Sequence, residues 1–214
     1  MAGTHISSSK NFENQKIKMG VTSTDIEKLE ILIKKYCIRS VIELGAQNNY
    51  SIPLPAPYMS EWYRERGIEY ESIDLSAENG CLVVDLSKPY TPERQYDMVT
   101  DFGTSEHVGW DGKHDIEAIY NCWKTKHDLL KVGGIMVNEN PKTGNWIGHG
   151  FNYYTLDFYN RLTDLCGYAI IETCEIPAMG NTTDGWNVYC SFIRRNDRQF
   201  ITLEEFKTCG IKLS

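Results

Sequence analysis

The chain contains no apolar run approaching the roughly 20 residues that a membrane-spanning helix needs, so an integral membrane protein is not expected. It also lacks any Cys-x-x-Cys pair. The seven cysteines (Cys37, Cys81, Cys122, Cys166, Cys174, Cys190 and Cys209) are odd in number and scattered, a poor basis for a disulfide framework or a closed zinc site. Most lie in apolar stretches, where a free thiol acts as a small hydrophobe. Basic residues are the minority, 22 against 29 acidic, for a net charge of −7. A nucleic-acid partner requires a basic footprint, and the only basic clusters, Lys34-Lys35 and Arg194-Arg195, read as solvated ends of elements. The polar first twenty residues have no apolar core and read as a loose arm, not a signal peptide. The expectation is a soluble, reduced, cytoplasmic protein with no nucleic-acid or membrane partner.

What is present is an ordinary globular composition, 41% hydrophobic and 24% charged over 214 residues, enough chain for one large core. It divides into a flexible arm over 1–20 and a single domain over 21–214. Thr24-Asp25-Ile26-Glu27 has capping-box spacing, followed by Ile26, Leu29, Ile33, Tyr36 and Cys37 at helical period. Ser40 to Leu44, closed by Gly45, reads as a buried strand. Pro53, Pro55 and Pro57 exclude a regular helix before a short helix over 58–66. Strands are expected over 68–74, 82–86, 96–101 and 135–138. A helix over 115–131 should stop at Gly133-Gly134. A helix over 155–166 ends at Gly167, strands follow over 168–176 and 187–194, and a last helix spans 202–209. Strands alternating with helices predict a parallel, doubly wound α/β sheet, with an antiparallel pair finishing it.

In such sheets ligands bind at the carboxyl ends of the strands. Those ends carry Glu43 and Gly45, Asp74, Asp85, Asp101, and Asn138 to Asn140. An acid after the second strand is placed to accept both hydroxyls of a ribose, and Asp74 fills that place. Asp85 is placed to accept an adenine amino group. As structural alternatives, Asp74 forms a turn and Asp85 caps a loop. The first loop reads Gly45-Ala46-Gln47-Asn48-Asn49, without the later glycines that a pyrophosphate demands. A nucleoside ligand without phosphates does not demand them.

Taken together, VIELGA, YESIDLS, CLVVDLSKP, YDMVTDFGTSEHV and DLLKVGGIMVNENP resemble, in order, the motifs of class I S-adenosylmethionine-dependent methyltransferases. The resemblance runs from about Val21 to Arg195. It implies a Rossmann-like, mostly parallel seven-stranded sheet with an antiparallel C-terminal strand, and S-adenosyl-L-methionine as cofactor. Carried onto this sequence, it implies that Glu43 orients the loop and the methionine ammonium, with close backbone approach at Gly45, Ala46 and Gln47. Asp74 would hold the ribose, Leu75 and Leu86 would pack at the adenine, and Asp85 would meet its amino group. Asp101 and Phe102 would line the channel to the sulfonium. The first motif departs from the family in its missing glycines. The interval from Gly45 to Asp74 also exceeds the usual ~20 residues, its excess forming a proline-marked lid.

Methyl transfer mainly requires alignment of the reactants, and a hydroxyl acceptor additionally needs a base. Of the five histidines, His5 lies in the arm, His127 on an apolar helix stripe and His114 before a helix. His107 and His149 remain as candidate catalytic residues, the latter between Gly148 and Gly150. Trp146, Phe151, Tyr153 and Tyr154 form an aromatic stretch suited to a flat or sugar-like small-molecule acceptor, whereas Phe158 belongs to a helix core. His107 and His149 with Glu106, Asp101 or Glu139 are an alternative metal set, but no compact ligand spacing supports it, and no metal is expected. Competing readings are a methyltransferase for protein or nucleic acid, a non-catalytic cofactor-binding module, and a nicotinamide oxidoreductase.

Overall fold

The computed structural model describes residues 20–51, 57–109, 115–177 and 185–213. All of the expected arm except Gly20 lies outside them, as do Pro53 and Pro55 of the expected lid, and His114. In chain order the elements are α1 (Ser23–Tyr36), β1 (Ser40–Leu44), α2 (Met59–Glu65), β2 (Glu69–Asp74), β3 (Leu82–Val83), β4 (Tyr96–Phe102), α3 (Ile116–Leu129), β5 (Leu130–Pro141), β6 (Asn152–Tyr153), α4 (Leu156–Cys166), β7 (Tyr168–Pro177), β8 (Trp186–Arg194), α5 (Leu203–Lys207) and β9 (Lys212–Leu213). Seven strands form one sheet in the order β3-β2-β1-β4-β5-β8-β7, and β6 pairs with β9 separately. The β3-β2-β1-β4-β5 ladders are parallel. β8 runs antiparallel to both β5 and β7, the doubly wound, mostly parallel sheet that the alternation of elements predicts.

The pleat divides the core into two layers, because successive side chains point to opposite faces. Ile42, Leu44, Val99 and Met136 face α3, α4 and α5, where Trp123, Phe158, Leu162 and Phe206 pack. Val41, Met98, Ile135 and Val137 face α1 and α2, against Leu29, Leu32, Met59, Trp62 and Tyr63. Each such side chain contributes about 1.5–3 kcal/mol by leaving water.

Local signals are displaced at four places. The helix α1 is capped by Thr22 rather than Thr24: Thr22 Oγ1 accepts from Asp25 N at 3.3 Å and the Asp25 carboxylate accepts from Thr22 N at 2.8 Å. Backbone bonds from Val21 N to Asn48 O and from Tyr50 N to Val21 O hold the chain extended up to that residue. Cys37, expected on the apolar stripe, is the exposed left-handed cap of the same helix. β3 ends at Val83 instead of Leu86, because Asp85 turns the chain by accepting from Ser87 N at 3.0 Å. Gly133-Gly134 does not stop α3. The helix ends at Leu129, Leu130 is already extended, and the glycines fall where the β4–β5 register shifts between Tyr96↔Leu130 and Met98↔Ile135.

Candidate active site

The loops leaving β1, β2, β3 and β4 surround a cavity of about 580 Å³ lined by Gly45, Ala46, Gln47, Asp74, Leu75, Val84, Asp85, Leu86, Ser87, Gly103, Thr104, His107, Val108 and Gly109. The sheet order reverses between β1 and β4, so this is the switch point at which such sheets bind ligands. The loop after β1 comes close to its neighbours. Gly45 has φ +70, and a Cβ there would stand 2.7 Å from Thr104 Oγ1 and 2.9 Å from Gln47 Nε2. Thr104 Oγ1 donates to Leu44 O at 2.7 Å and accepts from Gln47 Nε2 at 3.1 Å. Only glycine fits that cradle.

Among the described residues, the lining includes two carboxylates and no lysine or arginine. Asp74 Oδ1 accepts from Ser76 N at 3.3 Å, which leaves capacity for further donors. Leu75 beside it is 71% exposed, an apolar surface on the cavity wall. Asp85 is held below the ordinary carboxylate range by the Ser87 hydroxyl and by Lys88, whose Nζ lies 2.9 Å from Oδ2. Lys88 is 75% exposed, and a pair so open to water contributes little. Leu86 is buried in the wall.

Glu43, Asp101 and Phe102 are not among the residues lining the cavity, although Glu43 meets the first loop, as expected, from behind. The pleat turns Glu43 toward α2, behind the loop, where Oε2 accepts from Gln47 N at 3.0 Å and from the Tyr70 hydroxyl at 2.6 Å. Burial pushes its carboxyl up to about 7 against those hydrogen bonds. Phe102 is core on the same face. Asp101 points to α3 and pairs with Lys126 Nζ at 2.8 Å, both side chains fully buried. Burial alone would raise Asp101, but the Lys126 ammonium together with the hydrogen bonds from Ser105 and Thr104 holds the carboxyl below its ordinary value. Its other oxygen accepts from Thr104 N at 3.0 Å and Ser105 N at 3.2 Å, so it anchors the turn that follows β4.

That turn carries Glu106 and His107. Asn152 Nδ2 donates to Val108 O at 2.6 Å, and Phe151 N donates to Glu106 O at 2.8 Å. Asn140 Nδ2 donates to Glu106 Oε2 at 3.3 Å and its own Oδ1 accepts from the Tyr159 hydroxyl at 2.6 Å. Gly150 packs directly on Glu106, where a Cβ would meet the Glu106 Cγ at 3.0 Å and its carbonyl oxygen at 3.1 Å. The glycine thereby brings His149 over the turn. His107 Nε2 lies 3.8 Å and His149 Nε2 3.9 Å from Glu106 Oε1. The two rings meet edge to face at 5.0 Å. Burial, then the charge of Asp101, raises the Glu106 carboxyl to about 8. Burial lowers both imidazoles, which are therefore neutral at pH 7.

The aromatic stretch divides. Trp146 and Tyr153 pack on each other, the Tyr153 hydroxyl donating to Trp146 O at 2.9 Å. The Trp146 ring lies 5.1 Å from His149 and Phe151 lies 6.4 Å from His107. Tyr154 is not part of an open wall. It is fully buried in the core, its hydroxyl 2.8 Å from Ser105 Oγ. His127 is a core histidine bonded to the Tyr168 hydroxyl and to Arg198 O. Glu139, an alternate metal candidate, points to the α1 face with Asn187 and away from the histidines. Glu106 is expected only as one of three alternative acids in a metal set, and Asn140 only as a strand-end residue; Asn152 and Lys126, which support the turn, were missed. Neither Asn152 nor Lys126 carries a local sequence signal.

No protein-family model matches the chain, and no curated protein matches its sequence. Solved structures do. The 1,6-didemethyltoxoflavin-N1-methyltransferase of Burkholderia thailandensis, solved with S-adenosylhomocysteine, is 12% identical, with a TM-score of 0.54 over 78% of this chain and 76% of that one. Geranyl diphosphate C-methyltransferase of Streptomyces coelicolor A3(2) is 12% identical, with a TM-score of 0.53 over 79% and 80%. The [4+2]-cyclase SpnF is 10% identical, with a TM-score of 0.54 over 83% and 87%. The chain has the fold of class I S-adenosylmethionine-dependent methyltransferases. One of these neighbours is described as a cyclase, so the reaction has to be argued from the site.

Proposed function

We propose that the protein is an S-adenosylmethionine-dependent methyltransferase acting on a hydroxyl oxygen of a small-molecule acceptor. The observation that carries the cofactor is the charge of the cavity: two carboxylates, no lysine or arginine among the described lining residues, and a glycine cradle. A pyrophosphate demands the opposite, a helix N-terminus or cations, and among the described residues the first helix after the β1 loop begins at Met59. A cationic nucleoside fits the residues present. Asp74 would accept from the ribose hydroxyls, Leu75 and Leu86 would cover the adenine, and Gly45 to Gln47 would admit the amino-acid part. Glu43 would act by fixing that loop. S-adenosylmethionine, when bound, supplies an electrophilic methyl group with its leaving group built in.

The chain's own task is then to position the acceptor and take a proton. Neutral imidazoles at His107 and His149 are competent proton acceptors. An amine acceptor needs no such group, which favours oxygen. Neighbours of this fold act on small molecules such as a didemethyltoxoflavin and geranyl diphosphate, consistent with an acceptor of that size, and Trp146, Phe151 and Tyr153 would flank it. Calorimetry with S-adenosylmethionine, S-adenosylhomocysteine and NAD tests the reading. The first two should bind and Asp74→Ala should weaken both; binding of NAD alone would overturn it.

A further inference from the structure

We infer that Glu106, His107 and His149 form a binding site for one divalent transition-metal ion beside the cofactor cavity. One ligand atom from each residue lies within 4.8 Å of the other two. Glu106 Oε1 is fully buried and has no hydrogen-bond partner, and His149 Nε2 is buried and likewise unpartnered. The Glu106 oxygen stands 3.8 and 3.9 Å from the two Nε2 atoms. That is too far for a hydrogen bond and slightly wider than the spacing between ligands of one ion. Ligands at about 2.0–2.2 Å from a metal stand roughly 3–3.5 Å apart, so each imidazole must close on Glu106 Oε1 by about half an ångström, and the two imidazoles must close on each other from within 4.8 Å.

The remainder of the pocket suits this occupant. Asn140 holds the other Glu106 oxygen at 3.3 Å and so aims Oε1 at the rings, as outer hydrogen bonds do for metal-ligating carboxylates. Two imidazoles and one carboxylate prefer Zn²⁺, Co²⁺ or Fe²⁺ over Mg²⁺ or Ca²⁺. Three protein ligands leave at least one coordination position open. His107 also lines the cofactor cavity, so that position adjoins the place where an acceptor would enter. In this respect the inference rests on the proposed methyl transfer. An acceptor hydroxyl would bind the ion and lose its proton to solvent, the oxygen staying on the metal. With the ion bound, the imidazoles are ligands and the ion replaces them in acidifying the hydroxyl.

The test is a cobalt titration of the full chain after chelator treatment, followed by visible absorption and calorimetry, with Zn²⁺ as competitor. The expected result is one Co²⁺ per chain, without thiolate bands, displaced by Zn²⁺ and not by Mg²⁺. Glu106→Gln, which keeps the shape and the Asn140 contact, should weaken it by at least the roughly 10–100-fold that even an outer partner is worth, as should His149→Ala. Circular dichroism shows whether both variants are folded. Equal Co²⁺ affinity in the wild type and both folded variants, or no stoichiometric binding to the wild type, overturns the site. S-adenosylhomocysteine binding measured on the same metal-free samples separates the two readings. Its loss with cobalt binding intact would sink the methyltransferase and leave the metal site standing.

Discussion

Replacing Glu43 with Gln should make the protein more stable above neutral pH and abolish one component of its pH dependence. The Glu43 carboxyl is fully buried and its pKa is raised from 4.5 to about 7. Burial disfavours the charged form more than the Tyr70 and Gln47 hydrogen bonds favour it. A raised value means that the folded state holds the proton more tightly. The stabilising contribution is therefore complete below about pH 4.5 and lost as pH rises through about 7. From 4.5 to about 7, at roughly 1.4 kcal/mol per pH unit, the difference is about 3 kcal/mol. In the variant the amide oxygen can keep both acceptor bonds, and no charge is buried at any pH. Urea unfolding at a series of pH values from about 5 to 8 should show the stability of Glu43→Gln minus wild type rising by about 3 kcal/mol. Two parallel curves would mean that Glu43 is not desolvated as the structure has it.

Three other outcomes follow from the same geometry. Lys126→Met leaves Asp101 buried without its cation and should cost about 3–5 kcal/mol in chemical denaturation, most of it recovered by adding Asp101→Asn; no recovery would refute the pairing as the cause. Gly45→Ala forces a left-handed residue and two contacts under 3 Å. It should cost about 1–3 kcal/mol and lower S-adenosylhomocysteine affinity at least tenfold by calorimetry. His149→Ala should leave that affinity within about threefold but cut turnover on the acceptor by about 10²–10⁴; full turnover would remove His149 from the chemistry.

Much of the molecule was legible without coordinates because its signals are short in range. Thr155 accepts from Phe158 N at 3.0 Å at the start of α4, and Gly167 closes that helix in the left-handed conformation. Thr202 and Glu205 form the capping box read for the last helix. Local spacing alone also proved ambiguous. The capping pattern occurs twice near residue 23, and a contact with Asn48 decided between them. The two-residue strands β6 and β9 are too short to show a period. The strand-end rule placed Gly45, Asp74 and Asp85 at the cavity, because a parallel sheet sends every such end to one edge, and the family resemblance added Ala46, Gln47, Leu75 and Leu86. The rule could not say which way each side chain turns. Glu43, Phe102 and Glu139 stand on the α1–α2 face, while Asp101 and Asn140 stand on the other.

The sequence by itself determined the order of helices and strands, the edge of the sheet at which chemistry collects, and a glycine loop without phosphate-binding character. These are properties of neighbours along the chain and of periodicity. Tertiary structure alone decided the rest. The pleat and the β1–β4–β5 register hid three acids behind the cavity wall, one of them paired with Lys126. The loop after β5 folded back on the turn after β4, bringing His149 to Glu106 through a glycine at which a Cβ would stand 3.0–3.1 Å from Glu106. Residues so distant in sequence share no local pattern, and only packing brings an unpartnered carboxylate oxygen and two imidazoles together.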